Sequence, residues 1–212
     1  METILVSGND TGIGKTWVTR ALVAFFAERG CRSIQIVKPV ETGVDPGSPH
    51  DAPWAAAVEG LAAAISHHTL VTFREPLAPL EAARRDDRSL DMAALANELR
   101  ALPPVDVRLI EGAGGLAVPV AADGRDWADF GALCGVDWGA LVVEDRLGAI
   151  NQARLLVAYA QAKGLRHRLI LNQRTSPPEG VASSNRTTLQ ALDLPLWAEV
   201  PPGGALAPFP SL

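Results

Sequence analysis

The sequence predicts a three-layer α/β domain, a mostly parallel sheet with helices on both faces. Three observations predict it. Short β-branched runs alternate with longer segments whose apolar residues recur every three or four positions, and strands separated by helices need crossovers that make them parallel. The chain has 212 residues, enough for one substantial core and too few for two, so residues 1–212 are expected to form a single domain. A hydrophobic fraction of 48% against 20% charged residues supplies that core and excludes a disordered chain.

In order, Thr3–Ser7 reads as the first strand and Lys15–Glu28 as the helix that follows it. Within that helix Val18, Leu22, Phe25 and Phe26 lay an apolar stripe on one face, and Gly30 ends it because glycine enters the left-handed region at little cost. Further strands are expected at Ile34–Val37, Val107–Ile110, Ala140–Val143, Arg168–Leu171 and Leu196–Val200. Helices are expected near Ala52–Ile65, Met92–Ala101, Ile150–Ala162 and Asn185–Leu192. Val44–Pro49 and Thr175–Gly180, rich in Pro, Gly and Ser, read as loops, and Arg84–Asp87, whose charges cancel, reads as a solvated one. The tail after Pro201 is expected to be loosely held. Trp54, Trp127 and Trp138 are expected in core or subunit contacts, and His50, His67, His68 and His167, which lack metal-ligand spacing, at the surface.

Composition also excludes function classes. A net charge of −5 leaves no diffuse positive field for nucleic acid or anionic lipid. No stretch approaches the about 20 apolar residues of a membrane helix. Cys31 and Cys134 stand far apart with no CxxC pattern, which points away from zinc and disulfides and toward a reducing compartment. The acidic Glu2, with Ile4-Leu5-Val6 running straight into a glycine loop, does not read as a signal peptide, so a cytoplasmic location is expected.

The most informative residues are Gly8-Asn9-Asp10-Thr11-Gly12-Ile13-Gly14-Lys15-Thr16, placed between the first strand and the first helix. Such a loop can curl its N–H groups onto phosphate oxygens, and the helix adds unpaired donors and the positive end of its dipole. The expected fold is therefore P-loop NTPase-like, with Gly12, Ile13, Gly14, Lys15 and Thr16 on the nucleotide, Lys15 on its terminal phosphates and Thr16 on Mg2+. The strict GxxxxGK(S/T) spacing is not met, because the first glycine falls one place early. A glycine turn with Lys15 merely solvated is the plainer alternative.

Mg2+ accepts one or two carboxylates besides phosphate oxygens and water. Glu111 ends an apolar run before Gly112-Ala113-Gly114-Gly115, at the sheet edge where open α/β sheets bind ligands. Asp51 reads equally well as a metal ligand and as a cap of the helix that follows, and the two roles are compatible. Lys38, just before Pro39, would supply a second cation for charge developing in phosphoryl transfer.

Gly8-x-Asp10-Thr11-x-x-Gly14-Lys15-Thr16, Lys38-Pro39-Val40-x-Thr42-Gly43, Asp51, Glu111-Gly112-Ala113-Gly114-Gly115 and Leu147-Gly148-x-x-Asn151 appear in that order, and Pro177 to Arg186 adds a further segment. This ordered set resembles the dethiobiotin synthetase family over roughly Thr3 to Pro201, including its longer loop. The resemblance implies an ATP- and Mg2+-dependent ligase that closes the cyclic urea of dethiobiotin from 7,8-diaminopelargonate and CO2, through a carbamate and its anhydride with phosphate. It implies Lys15, Lys38 and Thr11 as catalytic residues, and Thr16, Asp51 and Glu111 as metal ligands. Thr11, Lys38 and Thr42 would meet the diamine or its carbamate. Asn172, Val200 and Pro201 would line the adenine pocket. It further implies a homodimer, in which Gly148, Ala149, Ile150 and Asn151 of one subunit hold the diamine's carboxylate in the other. The alternatives are a switch ATPase of the partition or iron-protein type, whose early second lysine is replaced here by Asp10, and a nucleotide-binding paralogue without ring closure. A cobyrinate-type synthetase would need a glutaminase domain for which the chain has no room.

Overall fold

The computed structural model describes residues 1–45, 50–177 and 180–209, and its centre is an eight-stranded sheet. In chain order the strands are β1 (Glu2–Gly8), β2 (Ser33–Thr42), β3 (Ala64–Phe73), β4 (Val107–Glu111), β5 (Trp138–Glu144), β6 (His167–Asn172), β7 (Leu196–Val200) and β8 (Ala207–Pro208). Across the sheet they run β3-β2-β4-β1-β5-β6-β7-β8, all parallel except β8, which pairs antiparallel with β7. The helices are α1 (Lys15–Glu28), α2 (Asp51–Ala56), α3 (Pro79–Arg85), α4 (Met92–Ala101), α5 (Trp127–Cys134), α6 (Ala149–Ala162) and α7 (Val181–Ala191).

The alternation of side chains along each strand divides the core into two layers. Ile4, Val6, Ile34, Ile36, Leu109 and Val142 pack under α1 and α2, against Val18, Leu22, Phe26, Ala52 and Ala55. Leu5, Val37, Ile110, Leu141 and Leu169 face the other way, onto Leu95 and Leu99 of α4, Trp127 and Phe130 of α5, and Ala153 and Leu156 of α6. Both faces are thus covered, and the strands read as near-continuous apolar runs because they are buried on both sides. Leu206 is buried beside the first layer just before β8.

Several expectations are corrected. The helix expected over Ala52–Ile65 is only the short α2, and Ile65 lies in β3. Alanine content favours a helix there, but β3 gains its conformation by pairing with β2 from Ser33↔Ala64 to Thr42↔Phe73, and tertiary pairing overrides local propensity. The solvated loop expected at Arg84–Asp87 begins inside α3, where Arg84 and Arg85 both bond Glu81 one turn back. Helices α3 and α5 add to those expected. Helix α5 carries a capping box in which Asp126 accepts from Ala128 and Asp129 while Asp129 accepts from Asp126 N–H. Trp127 and Trp138 are core residues, whereas Trp54 is exposed and packs on Trp17 with ring centroids 5.4 Å apart. Of the two expected loops, residues 46–49 and 178–179 lie outside the described residues.

Candidate active site

The glycine loop leaves β1 in the middle of the sheet and ends at the first turn of α1. Its shape demands glycine at Gly14, where φ is +87° and an added Cβ would lie 2.2 Å from Asn172 Nδ2. Asn172, fully buried at the end of β6, donates from Nδ2 to the Ile13 carbonyl at 2.8 Å and so fastens the loop. Its Oδ1 is buried with no hydrogen-bond partner among the described residues. Val200 lies opposite Asn172 in the β6–β7 register, so the expected adenine contacts Asn172, Val200 and Pro201 sit together beside Gly14.

A cavity of about 340 Å³ opens at the carboxyl edge of the sheet, lined among others by Thr11, Gly12, Lys15, Thr16, Lys38 and Thr42. Glu111, which is 1% exposed, forms its anionic floor. Thr16 and Thr19, three residues apart on α1, donate to its two oxygens at 2.8 and 2.7 Å. The turn after Glu111 is braced from below by Trp127, which donates from Nε1 to the Ala113 carbonyl at 2.7 Å. Its ring would stand 3.1 Å from any Cβ at Gly112.

Lys38 lies within β2, not after it, because the strand runs on past β4 to Thr42. Pro39 is tolerated there since β2 has by then left its β4 neighbour and needs no donor on that side. The Lys38 ammonium donates to Asp51 Oδ2 and Glu111 Oε1, each at 2.6 Å. Burial pulls its pKa down, but the charges and hydrogen bonds of Glu111 and Asp51 outweigh that and hold it above the usual lysine range. Lys15 donates to the Asp10 carbonyl at 2.8 Å. Burial depresses its ammonium to about 8 against the pull of Glu111, with Lys38 adding to the depression.

Two carboxylates and a threonine hydroxyl thus converge on one point, and the Lys38 ammonium marks that point as a cation position. Among the described residues no group of three His, Cys, Asp or Glu side chains is assembled for a metal. A hydroxyl and two carboxylates nevertheless fit Mg2+, which fills its remaining positions with water and phosphate oxygens.

Of the expected phosphate, metal and near-substrate residues, Thr11, Gly12, Gly14, Lys15, Thr16, Lys38, Thr42, Asp51 and Glu111 line this cavity, whereas the Ile13 side chain is buried in the core layer under α1. The structure does not bring Gly148, Ala149, Ile150 and Asn151 to it. They open α6, with Gly148 as a left-handed N-cap and Asn151 exposed at the surface. Glu41 and Arg174 also line the cavity, and Thr19 orients Glu111, though the sequence reading passed over all three. A carboxylate directly after the run Ile34–Val40 was the available signal for Glu41, as the i, i+3 spacing from Thr16 was for Thr19. His50, expected in a loop at the surface, is the N-cap of α2 and pairs with Glu41 at 2.9 Å.

A family model described as an AAA domain matches residues 2–209. The ATP-dependent dethiobiotin synthetase BioD of Mycolicibacterium vanbaalenii is 36% identical over 96% of this chain and 88% of its own length. That of Rhodococcus jostii is 38% identical over 78% of this chain and 70% of its own. Among solved structures, the signal recognition particle 54 kDa protein of Aeropyrum pernix in complex with GDP has a TM-score of 0.57 at 19% identity. It covers 98% of this chain, which spans 43% of that one. A ParA family ATPase from Chlorobium tepidum has a TM-score of 0.58 at 12% identity, covering 94% of this chain and 83% of its own. The structural likenesses establish the P-loop NTPase-like fold and nothing finer. No described helix is long and apolar enough to cross a membrane.

Proposed function

The chain belongs to the ATP-dependent dethiobiotin synthetase family and is a ligase of that activity, and from this we propose how its own residues divide the work. The observation that carries the proposal is the convergence of Lys15, Lys38, Thr16, Asp51 and Glu111 on one cavity beside the glycine loop.

In this reading the loop amides and Lys15 hold the triphosphate of ATP, and Asn172 offers its buried Oδ1 to the exocyclic amine of adenine, with Val200 and Pro201 beside it. Thr16, Asp51 and Glu111 would hold Mg2+, which when bound neutralises phosphate oxygens. Thr11 and Thr42, both on the cavity wall, orient the diamine. One amine of the substrate takes up CO2 and loses a proton to give a carbamate. A carbamate oxygen then attacks the γ-phosphorus of ATP and ADP departs. The second amine attacks the carbonyl carbon of the mixed anhydride and loses a proton, phosphate leaves, and the cyclic urea is complete. Lys38 leaves its carboxylates for the carbamate and the transferring phosphoryl group, so that positive charge meets negative charge as it develops. Positioning supplies most of the remaining acceleration, because both amines belong to one bound molecule.

The α6 terminus at Gly148–Asn151 completes the site from a second subunit, where N–H groups of its first turn other than that of Ala149, which donates to the Arg146 carbonyl, take the diamine's carboxylate. The active unit is then a homodimer of single-domain chains working in the cytoplasm, without nucleic acid or membrane partners. Phosphate release from ATP, Mg2+ and bicarbonate should depend on added diamine. Equal release without the diamine would replace this reading with that of a switch ATPase.

A further inference from the structure

Glu41 has no part in the chemistry above, yet it is 6% exposed and sits in the wall of the same cavity. Both of its oxygens are committed. Oε1 accepts from the backbone N–H of Asp51 at 2.7 Å, and Oε2 accepts from His50 Nδ1 at 2.9 Å and from Thr69 Oγ1 at 3.4 Å. The Asp51 N–H is the first of α2, one of the donors a helix leaves unpaired at its start. The N-cap residue His50 provides no side-chain cap, so the strand carboxylate of Glu41 does what an N-cap aspartate would do from within the chain segment. It ties the start of α2 to the end of β2, ten residues earlier in sequence.

This tie fixes the one loosely held member of the cation set. Glu111 is anchored by two threonines on α1, whereas the Asp51 side chain is 41% exposed and, among the described residues, hydrogen-bonds only with Lys38. What sets the Asp51 carboxylate opposite Glu111 is therefore the position of its backbone. We propose that Glu41 is a positioning residue for the magnesium site, acting through the Asp51 amide to hold that carboxylate where it can share a cation with Glu111. The proposal rests on the assignment of Thr16, Asp51 and Glu111 as the metal ligands. Its chemistry needs an acceptor at this position and not a charge, so glutamine should serve.

The test titrates Mg2+ into the intact protein with N-methylanthraniloyl-ATP as fluorescent probe, without diamine, and repeats the binding in EDTA. Glu41→Ala should raise the Mg2+ concentration needed for tight binding by roughly tenfold to a hundredfold, as loss of a ligand-orienting group does. Its affinity for the probe in EDTA should match the wild type. Glu41→Gln should restore the wild-type Mg2+ requirement, its amide oxygen accepting the same N–H. Glu41→Ser, too short to reach the amide, should behave as alanine and serves if the alanine variant is insoluble. Equal loss with and without Mg2+, an unchanged Mg2+ requirement, or a glutamine variant as impaired as alanine would each overturn the proposal. Asp51→Asn separates the two levels. If it leaves the Mg2+ requirement unchanged, the metal assignment itself fails; if it raises that requirement while Glu41→Ala does not, only the role of Glu41 fails.

Discussion

Two buried cations bridge the same pair of strands at opposite ends. At the carboxyl end, Lys38 of β2 reaches Glu111 of β4; near the amino end, Arg108 of β4 reaches Gln35 of β2, and each contact is 2.6 Å. Burial is alike, 4% exposure for Lys38 and 3% for Arg108. The partners differ. Arg108 has only neutral acceptors, the Gln35 amide and the carbonyls of Leu99, Leu102 and Pro103, so it caps the end of α4. Lys38 has two carboxylates, one of them on the open side of a cavity. A fixed cation surrounded by neutral acceptors holds the fold. A cation shared between anions can be handed to a third anion, and a triphosphate or a carbamate is one.

The comparison can be broken in several ways. The largest effect is expected at the carboxyl end: Lys15→Ala should lower diamine-dependent phosphate release by roughly a hundredfold to a thousandfold, the scale of losing one preorganised donor to developing charge. Its thermal midpoint should not fall, since losing one bond to the exposed Asp10 residue is offset by removing an ammonium that burial disfavours. Arg108→Met should do the reverse. It leaves four acceptors without their donor and should cost about 2 kcal/mol in denaturant unfolding, with turnover per folded molecule unchanged. A smaller effect sharpens the first. Lys15 titrates at about 8 in the fold against 10.5 when free, so between those values the unfolded chain binds the extra proton. The contribution of Lys15 to stability without nucleotide should therefore rise as pH climbs from about 8 to 10.5. With Lys15 on the phosphates as proposed, nucleotide affinity should fall above pH 8, by at most about tenfold per pH unit. Flat affinity between pH 7 and 9 would remove Lys15 from the phosphates.

The same alternation that separates the two cations explains what sequence alone could reveal. Leu109 and Glu111 share parity and face α1, while Arg108 and Ile110 face α4, so a strand ending in Glu111 already aims that carboxylate toward the glycine loop. Strict alternation fails in β2. Val37 and Val40 both belong to the α4 layer, so the pattern breaks at Pro39, and Glu41 comes round to the side of Lys38 where counting would not place it. Strand β3 was hidden for a related reason. Half exposed at the sheet edge and preceded by alanines, it shows neither a buried run nor a clean two-residue period, and only its pairing with β2 defines it. The loop residues were legible because glycine, lysine and threonine at that spacing have few other uses. The role proposed for Gly148–Asn151 has no counterpart within one chain, since these residues do not line its own cavity.

The most direct test is diamine-dependent phosphate release by Lys38→Ala beside the wild type, with nucleotide affinity measured on the same samples. The account predicts a folded protein that binds the nucleotide within a fewfold of the wild type and has lost nearly all turnover. Wild-type turnover in that variant would show that the ammonium between Asp51 and Glu111 is a structural ion like Arg108, and the distinction drawn between the two ends of the sheet would fall.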